Sequence, residues 1–241
     1  MSALLLNARV ASTAVNTGAA ATVSASITPL PNESVYVFAI AVSGAAFTDT
    51  TTISGCGLTW AKVASVISGN NIGILYQGYG TPSAGAVTIT FSRTPTSGRY
   101  QITGLTDGQA SASGVAASQS TSGTGTSGSM TLTSSGIGQR LVSFWAHLAA
   151  EGTTPDSTGA TWAEFSDAAT TYGMECQSLD QWPLDTTHTA SWATSSFYFG
   201  AMVQALPFAY TLAKKTDAPV VMTTPRITVI DEDADVFAII G

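Results

Sequence analysis

The chain has two histidines, and histidine is the side chain whose ordinary pKa best suits proton transfer near neutral pH. His147 lies inside an apolar run that predicts a strand, and His188 lies among threonines in a segment that predicts a polar turn. No serine stands in the Gly-x-Ser-x-Gly turn that exposes a nucleophile. The sequence therefore predicts no catalytic residue, and it predicts both histidines to be structural or surface residues.

Five acidic side chains could form the facing carboxylate pair that glycoside hydrolysis needs. They are spread along the second half of the chain: Glu164, Asp167, Glu175, Asp180 and Asp185. The positions that correspond to them in the first half are mostly not acidic, and Lys62 corresponds to Glu164. We therefore expect these carboxylates to be surface charges rather than a general acid and base.

No metal or cofactor site is predicted. The acidic patch at 231–235 lacks the glycine and the spaced ligands of a calcium loop, which favours a solvated turn. Neither histidine belongs to a Cys/His cluster, so a zinc site is not expected. Cys56 and Cys176 are expected to be reduced and semi-buried, although their spacing does not decide whether they pair.

Tryptophans could stack against sugar rings if some of them are exposed. Trp60 and Trp162 occupy equivalent positions of an internal repeat, and we expect both in the core. Trp182 and Trp192 lie near turns and are the better candidates for an exposed aromatic surface.

The elements that carry these residues occur twice along the chain. Gly-x-Thr-Trp-Ala stands at 57–61 and again at 159–163, with the two tryptophans 102 residues apart. Strand-like segments follow in the same order in both copies. The matched segments are 35–42 with 141–148, 72–79 with 172–182, 87–91 with 189–192, and 100–105 with 197–206.

Composition and spacing predict an all-β chain. Charged residues make up only 10% of it, and Ser, Thr, Gly and Ala replace them. Apolar runs recur about every 8–14 residues between turn residues, without a long helical period. The predicted fold is an antiparallel jelly-roll-type β-sandwich (1–208) built from two similar halves, about 20–106 and 113–206, with a Ser/Gly-rich connection between them. The alternative is two tandem smaller sandwiches joined near 106–128.

Residues 209–241 have no counterpart in the first half and are predicted to form an extended C-terminal arm. Apolar pieces separated by proline and acidic residues suit strand addition to a neighbouring subunit. The alternative is a last edge strand on the same chain. The predicted interface residues are Val220, Val221, Met222, Ile227, Val229, Ile230, Phe237, Ile239 and Ile240.

Charge and hydropathy disfavour two classes of partner. The net charge of −7, without a basic stripe, argues against nucleic-acid binding. No run approaches the roughly 20 apolar residues of a membrane helix, so no membrane partner is expected. The first residues lack the basic start and long apolar run of a secretory signal, which predicts synthesis in the cytoplasm.

From about 20 to 206, the sequence resembles a family of β-sandwich proteins of tailed bacteriophages and bacteria. The resemblance rests on Gly57-Leu58-Thr59-Trp60 with Val63-Ala64-Ser65, on 85–89, and on the segments 190–192 and 201–203. It implies a virion component such as a capsid decoration or tail-associated protein, without catalytic residues. We therefore expect a homo-oligomeric decoration or cement protein that contacts a major capsid or tail protein in the virion. The alternative is a carbohydrate-binding or adhesion module of a tail fibre or cell surface.

Overall fold

The computed structural model describes residues 5–14, 21–31, 33–106, 115–133, 140–151, 154–155, 163–168, 172–179 and 185–205. These residues form fourteen strands, and every pairing between them is antiparallel. The predicted all-β antiparallel fold is confirmed. The strands belong to one compact unit, Leu4–Ala209. In the described ranges no helix is long and apolar enough to cross a membrane.

The first half contains eight strands in two sheets. The large sheet has the order β1-β8-β3-β6-β5, and the small sheet has the order β2-β7-β4. The bounds are β1 Leu5–Ala14, β2 Thr22–Ile27, β3 Ser34–Ser43, β4 Thr52–Gly55, β5 Thr59–Ser68, β6 Asn71–Tyr79, β7 Gly85–Thr90 and β8 Pro95–Thr106.

The second half contains six strands, two of which are long. Its order is β11-β14-β10-β13-β12, and β9 also pairs with β14. The β9–β14 register shifts between Ser191 and Ser196, which divides β14 into two parts. The bounds are β9 Val115–Thr133, β10 Arg140–His147, β11 Thr154–Pro155, β12 Ala163–Ala168, β13 Gly173–Leu179 and β14 Asp185–Ala205.

The strand pairings repeat between the halves. Before the shift, β14 lies between β9 and β11, as β7 lies between β2 and β4. After the shift it lies between β9 and β10, as β8 lies between β1 and β3. The pairs β10–β13 and β13–β12 then match β3–β6 and β6–β5. The predicted construction from two similar halves is therefore visible in the strand order.

The jelly-roll name applies only in part. The first half pairs β1 with β8, β2 with β7 and β3 with β6. A jelly roll has the same three pairings. In the first half β5 pairs with β6 and extends the large sheet, whereas the fifth strand of a jelly roll pairs with the fourth. The jelly-roll description of the whole fold therefore stays a prediction.

The apolar run of β3 lies at the centre of its sheet. Val37 and Ala39 face the small sheet, and Phe38 and Ile40 face the second half; all four are fully buried. A strand that buries both faces must be apolar at consecutive positions, because alternation would expose one of them. In the second half, β10 holds the matching central position.

Three buried clusters separate the layers. The outer core of the first half lies between its large and small sheets, and the central core lies between the two halves. The outer core of the second half lies on the face of β10 that is turned away from the first half. Both parts of β14, before and after the register shift, contribute side chains to it. Its buried apolar members are Met130, Leu132, Leu141, Trp145, Ala190, Trp192 and Met202.

The two large sheets stack with pseudo-two-fold symmetry. Strand β3 contacts its counterpart β10, while β1 contacts β12 and β5 contacts β9. Each of these contacts is either between equivalent strands or has a reciprocal contact, as in an isologous dimer. Phe38 and Phe144 are equivalent residues, and their ring centroids lie 5.4 Å apart. The halves therefore pack like the two subunits of a symmetric dimer within one chain.

The Gly-Cys-Gly segment before the first repeated tryptophan forms a tight left-handed turn. Gly55, Cys56 and Gly57 have φ values of 115°, 57° and 68°. The carbonyl of Gly55 accepts hydrogen bonds from the backbone N–H of Leu58 and from Nε1 of Trp60, at 3.2 Å each. The motif thus starts β5 in a fixed direction, which supports a structural role.

One connection differs from the sequence expectation. The sequence predicts a Ser/Gly-rich connection between the halves, and the alternative of two tandem sandwiches extends this connection over 106–128. Residues 115–133 instead form β9, which pairs along nearly its whole length with β14. Backbone pairing with β14 imposes the strand here despite the composition.

Candidate functional site

The predicted interface residues of the arm lie outside the described residues. The described chain ends at 205, so the structure tests neither the contacts nor the alternative of a last edge strand. The assignment of Val220, Val221, Met222, Ile227, Val229, Ile230, Phe237, Ile239 and Ile240 to an interface stays a prediction.

Inside the second half, polar side chains meet in a fully buried position. Ser143 and His147 on β10, Glu175 and Gln177 on β13, and His188 on β14 each have no exposed surface. We call these five residues the buried polar cluster. They face the outer core of the second half, on the side of β10 and β13 that is turned away from the first half.

His188 lies in a strand rather than in the predicted turn. Its Nδ1 atom is 2.7 Å from Oγ of Ser143 and 3.1 Å from Nε1 of Trp145. Because an indole N–H can only donate, this Nδ1 atom must carry the lone pair. The hydroxyl of Ser143 can then donate to the same nitrogen. The structure therefore forms a serine–histidine pair that the sequence did not predict.

Glu175 is buried, so its prediction as a surface charge is wrong. Its neighbour on the same face of β13, Gln177, donates a hydrogen bond from Nε2 to Oε1 of Glu175. The carbonyl oxygen of Gln177 has no hydrogen-bond partner among the described residues. A buried acceptor without a donor lowers the stability of the fold, and such groups in native proteins can have a catalytic role.

Of the two predicted alternatives, a structural or a surface residue, His147 is not at the surface: it is fully buried. Its ring stacks on Trp192 with a centroid distance of 4.7 Å, and Nδ1 accepts the backbone N–H of Ala149 at 3.4 Å. Burial lowers the pKa of His147 to about 4, although the negative charge of Glu151 acts in the opposite direction. The imidazole is therefore neutral at physiological pH.

The corresponding positions of the first half are apolar. In the shared register, Val37 and Tyr76 correspond to Ser143 and Gln177, and Ile74 corresponds to Glu175. The inward positions of β7 are Val87 and Ile89, where β14 has His188. Two copies of one fold thus differ by the joint replacement of packed apolar side chains with hydrogen-bonding ones. Aligning the two halves strand by strand would have revealed Ser143 and Gln177, which the sequence reading did not single out.

The described residues contain no group of three or more His, Cys, Asp or Glu side chains that could hold a metal ion. Both cysteines are free and buried, and burial raises the pKa of each thiol. A thiol that resists ionisation is a poor nucleophile and a poor ligand. The pair formed by Ser143 and His188 is therefore the described arrangement best suited to chemistry.

The tryptophans do not form an exposed platform in the described part of the chain. Trp192, which was expected near the surface, is only 6% exposed, and Trp145 is fully buried. Trp60 is half-buried rather than fully in the core. Trp162 and Trp182 lie outside the described residues. Of the carboxylates, Glu164, Asp167 and Asp185 lie in strands whose side chains are not described, and Asp180 lies outside the described residues.

Comparisons of the chain with protein-family models, with curated proteins and with solved structures found no match. The resemblance to phage β-sandwich proteins therefore stays an expectation from the sequence.

Proposed function

We propose that the protein is a structural component of a tailed-phage virion, acting as a capsid decoration or cement protein through adhesion between subunits. The observation that carries the proposal is the construction of the body. The two halves share the central apolar core, in which the ring of Phe38 contacts those of Phe144 and Phe199. Halves that are packed against each other through a buried apolar core suit a load-bearing role.

The surface of the body supports assigning the adhesive contacts to the arm. Among the described residues, Leu30 is the one large hydrophobic side chain that is exposed, at 45%. Stable subunit interfaces bury an apolar centre, which these described surfaces do not offer. The apolar pieces of 209–241 could supply it by adding strands to a neighbouring subunit.

The alternative, carbohydrate binding, gains no support from the tryptophans that the structure describes. Stacking against a sugar requires an exposed aromatic face, and the burial of Trp145 and Trp192 removes both from consideration. Trp60 uses its indole N–H to bond Gly55 within the turn.

The first test compares the full chain with residues 1–208 by light scattering and by binding to phage particles that lack the protein. We expect the full chain to form a homo-oligomer and to saturate the particles, and the shortened chain to be monomeric and not to bind. A shortened chain that still covers the particles fully would contradict the assignment to the arm.

A substitution within the full chain separates arm contacts from the effects of truncation. Val229→Asp places a charge in one of the predicted contact segments, and Thr228→Asp places the same charge on its polar neighbour. We expect Val229→Asp to weaken particle binding much more than Thr228→Asp does. Equal effects would indicate that total charge, rather than apolar contact, controls binding. Binding to glycans by both the full and the shortened chain would instead favour the carbohydrate alternative.

A further inference from the structure

We propose that the protein crosslinks its own second half by forming an ester bond between the side chains of Ser143 and Gln177, with release of ammonia. This inference does not depend on the proposed function, because it follows from the geometry of the buried polar cluster alone.

The two side chains stand directly opposite each other. Ser143 and Gln177 are register partners of the antiparallel pair β10–β13, and both point to the same face. The Cβ atoms of directly opposite residues lie roughly 4.5–5.5 Å apart, which a serine and a glutamine side chain can span together. Both residues are fully buried, so neither can leave the cluster without disturbing the core.

The nucleophile has its base in place. The hydroxyl of Ser143 lies 2.7 Å from Nδ1 of His188, within the hydrogen-bonding distance that general-base catalysis requires. The N–H of Trp145, 3.1 Å from the same atom, selects the tautomer in which Nδ1 is unprotonated. Serine is a weak nucleophile by itself and becomes effective when such a base accepts its proton.

The acyl group is also held in place. Glu175 accepts the N–H of the Gln177 amide, which directs the amide nitrogen towards the carboxylate. The carbonyl oxygen of Gln177 is left without a donor among the described residues. The ester keeps this carbonyl oxygen, but an ester carbonyl is a weaker hydrogen-bond acceptor than an amide carbonyl, so its burial without a donor costs less in the product than in the reactant.

The atoms of the reaction balance without a further reactant. Oγ of Ser143 forms a bond to Cδ of Gln177 while its proton moves to Nδ1 of His188. The tetrahedral intermediate then breaks the bond between Cδ and Nε2, and the leaving nitrogen takes the proton from His188. The products are one ester and one molecule of ammonia, and no oxidation or reduction occurs. Because the cluster is shielded from solvent, water is not available to hydrolyse the ester.

The first half serves as an internal control. Its corresponding residues, Val37 and Tyr76, include neither a hydroxyl–amide pair nor a histidine, so it cannot undergo the same reaction. A crosslink confined to β10 and β13 is therefore expected.

Mass spectrometry of the full chain tests the proposal directly. We expect a mass lower than that of the unmodified sequence by about 17 Da, one ammonia. Cyanogen bromide cleaves after Met130, Met174 and Met202, and so separates 131–174, which contains Ser143, from 175–202, which contains Gln177. We expect these two fragments to remain joined and to separate after hydroxylamine, which cleaves esters. An unmodified wild-type mass, or fragments that separate without hydroxylamine, would overturn the proposal.

Variants locate the bond. Ser143→Ala and Gln177→Leu should each restore the full mass and release the two fragments. Gln77→Leu changes another buried glutamine, one that lies on β6 of the first half, and it should leave the mass loss unchanged. Circular dichroism of each variant shows whether it has folded. Loss of ammonia that persists in Ser143→Ala would exclude this serine as the nucleophile.

Discussion

His147 is a titratable side chain that the fold shields completely from solvent. Its Nε2 atom has no hydrogen-bond partner among the described residues, and the adjacent indole of Trp192 offers no compensating charge. Protonation would place a cation in the outer core of the second half. Burial therefore holds the pKa of His147 at about 4, below its ordinary value.

This shift predicts a pH dependence of stability. Between about pH 6.5 and pH 4, the unfolded chain binds a proton at His147 that the folded chain does not, so stability falls as the pH is lowered through this window. Above about pH 6.5 the histidine makes no pH-dependent contribution. Melting temperatures measured from pH 7 to pH 4 should therefore fall less steeply for His147→Gln than for the wild type.

Carboxylates titrate in the same range, so the difference between the two proteins is the quantity to compare. Identical slopes for His147→Gln and the wild type would contradict the assignment. His147→Gln is also expected to lower stability at pH 7, because glutamine cannot reproduce the stacking on Trp192.

At the scale of single residues, the sequence could predict burial where neighbours are apolar, as for His147. It could not predict His188, because threonines on both sides of a histidine are typical of a turn. In β14 the exposed Thr187 alternates with the buried His188, and this period of two arises only from pairing with β9 and β11. Ser143 and Gln177 could not be recognised as a pair from the sequence, because only the pairing of β10 with β13 places them opposite each other.

Among the strands, β1 is an edge strand whose attachment includes an ion pair. Arg9 forms two hydrogen bonds with the carboxylate of Glu33, at 2.9 and 2.6 Å. The Arg9 side chain is 18% exposed and that of Glu33 is fully buried. Gly104 on β8 leaves the space that this carboxylate occupies.

Removing the arginine should therefore be expensive. We expect Arg9→Leu to lower the free energy of unfolding by about 3–5 kcal/mol, because it leaves the buried carboxylate without its counter-charge. Chemical denaturation measures this difference. The pair between Lys62 and Asp49 is solvent-exposed and provides a control: Lys62→Leu should cost no more than about 1 kcal/mol. Equal costs for the two substitutions would show that burial of Glu33 does not control the energy.

At the scale of elements, the sequence predicted the strands whose apolar residues are continuous or alternate, such as β3, β6 and β10. It did not predict β9 as one long strand, since eight of its nineteen residues are serine or glycine and apolar residues do not alternate along it. The strand forms because β14 offers a long unpaired edge. The composition of a segment gives its own preference for a strand, but it does not show whether a neighbouring strand offers an edge with which it can pair.

For the whole molecule, the central core makes the two halves depend on each other. Gly73 on β6 lies directly beneath the ring of Phe199 on β14, and a Cβ atom at this position would lie 2.4 Å from Cγ of that ring. The halves can approach this closely only because the position is glycine. A change at Gly73 thus acts on both halves at once.

We expect Gly73→Ala to lower the free energy of unfolding by roughly 1–3 kcal/mol through overpacking. Four of the five tryptophans (Trp145, Trp162, Trp182 and Trp192) lie in the second half. If the halves unfold together, tryptophan fluorescence and far-UV circular dichroism should give the same decrease in the free energy of unfolding for Gly73→Ala. Gly44→Ala is the control, because no atom lies within 4 Å of the added Cβ; it should change the free energy of unfolding little. Two separate transitions in the wild type would contradict this coupling.

The internal repeat was predictable from the Gly-x-Thr-Trp-Ala pair and the order of its flanking strands. The face-to-face stacking of the halves was not predictable from the sequence. In each half, one face of the large sheet is covered by strands of the same half, and the sequence does not show which apolar face remains for the other half. Tyr36, Phe38 and Ile40 alternate with Val35, Val37 and Ala39 in one uninterrupted run, and the run itself does not assign either face to a partner.

The pseudo-two-fold arrangement has a consequence for ancestry. A single gene encoding one half would have produced a symmetric pair of identical chains, in which every mutation appears twice, on both sides of the axis. Duplication and fusion of that gene would have released the copies from this constraint. One copy could then keep the packed apolar interior that maintains the fold, while the other tolerated a serine, a glutamine and a histidine that a paired ancestor would have had to accommodate in both interiors at once.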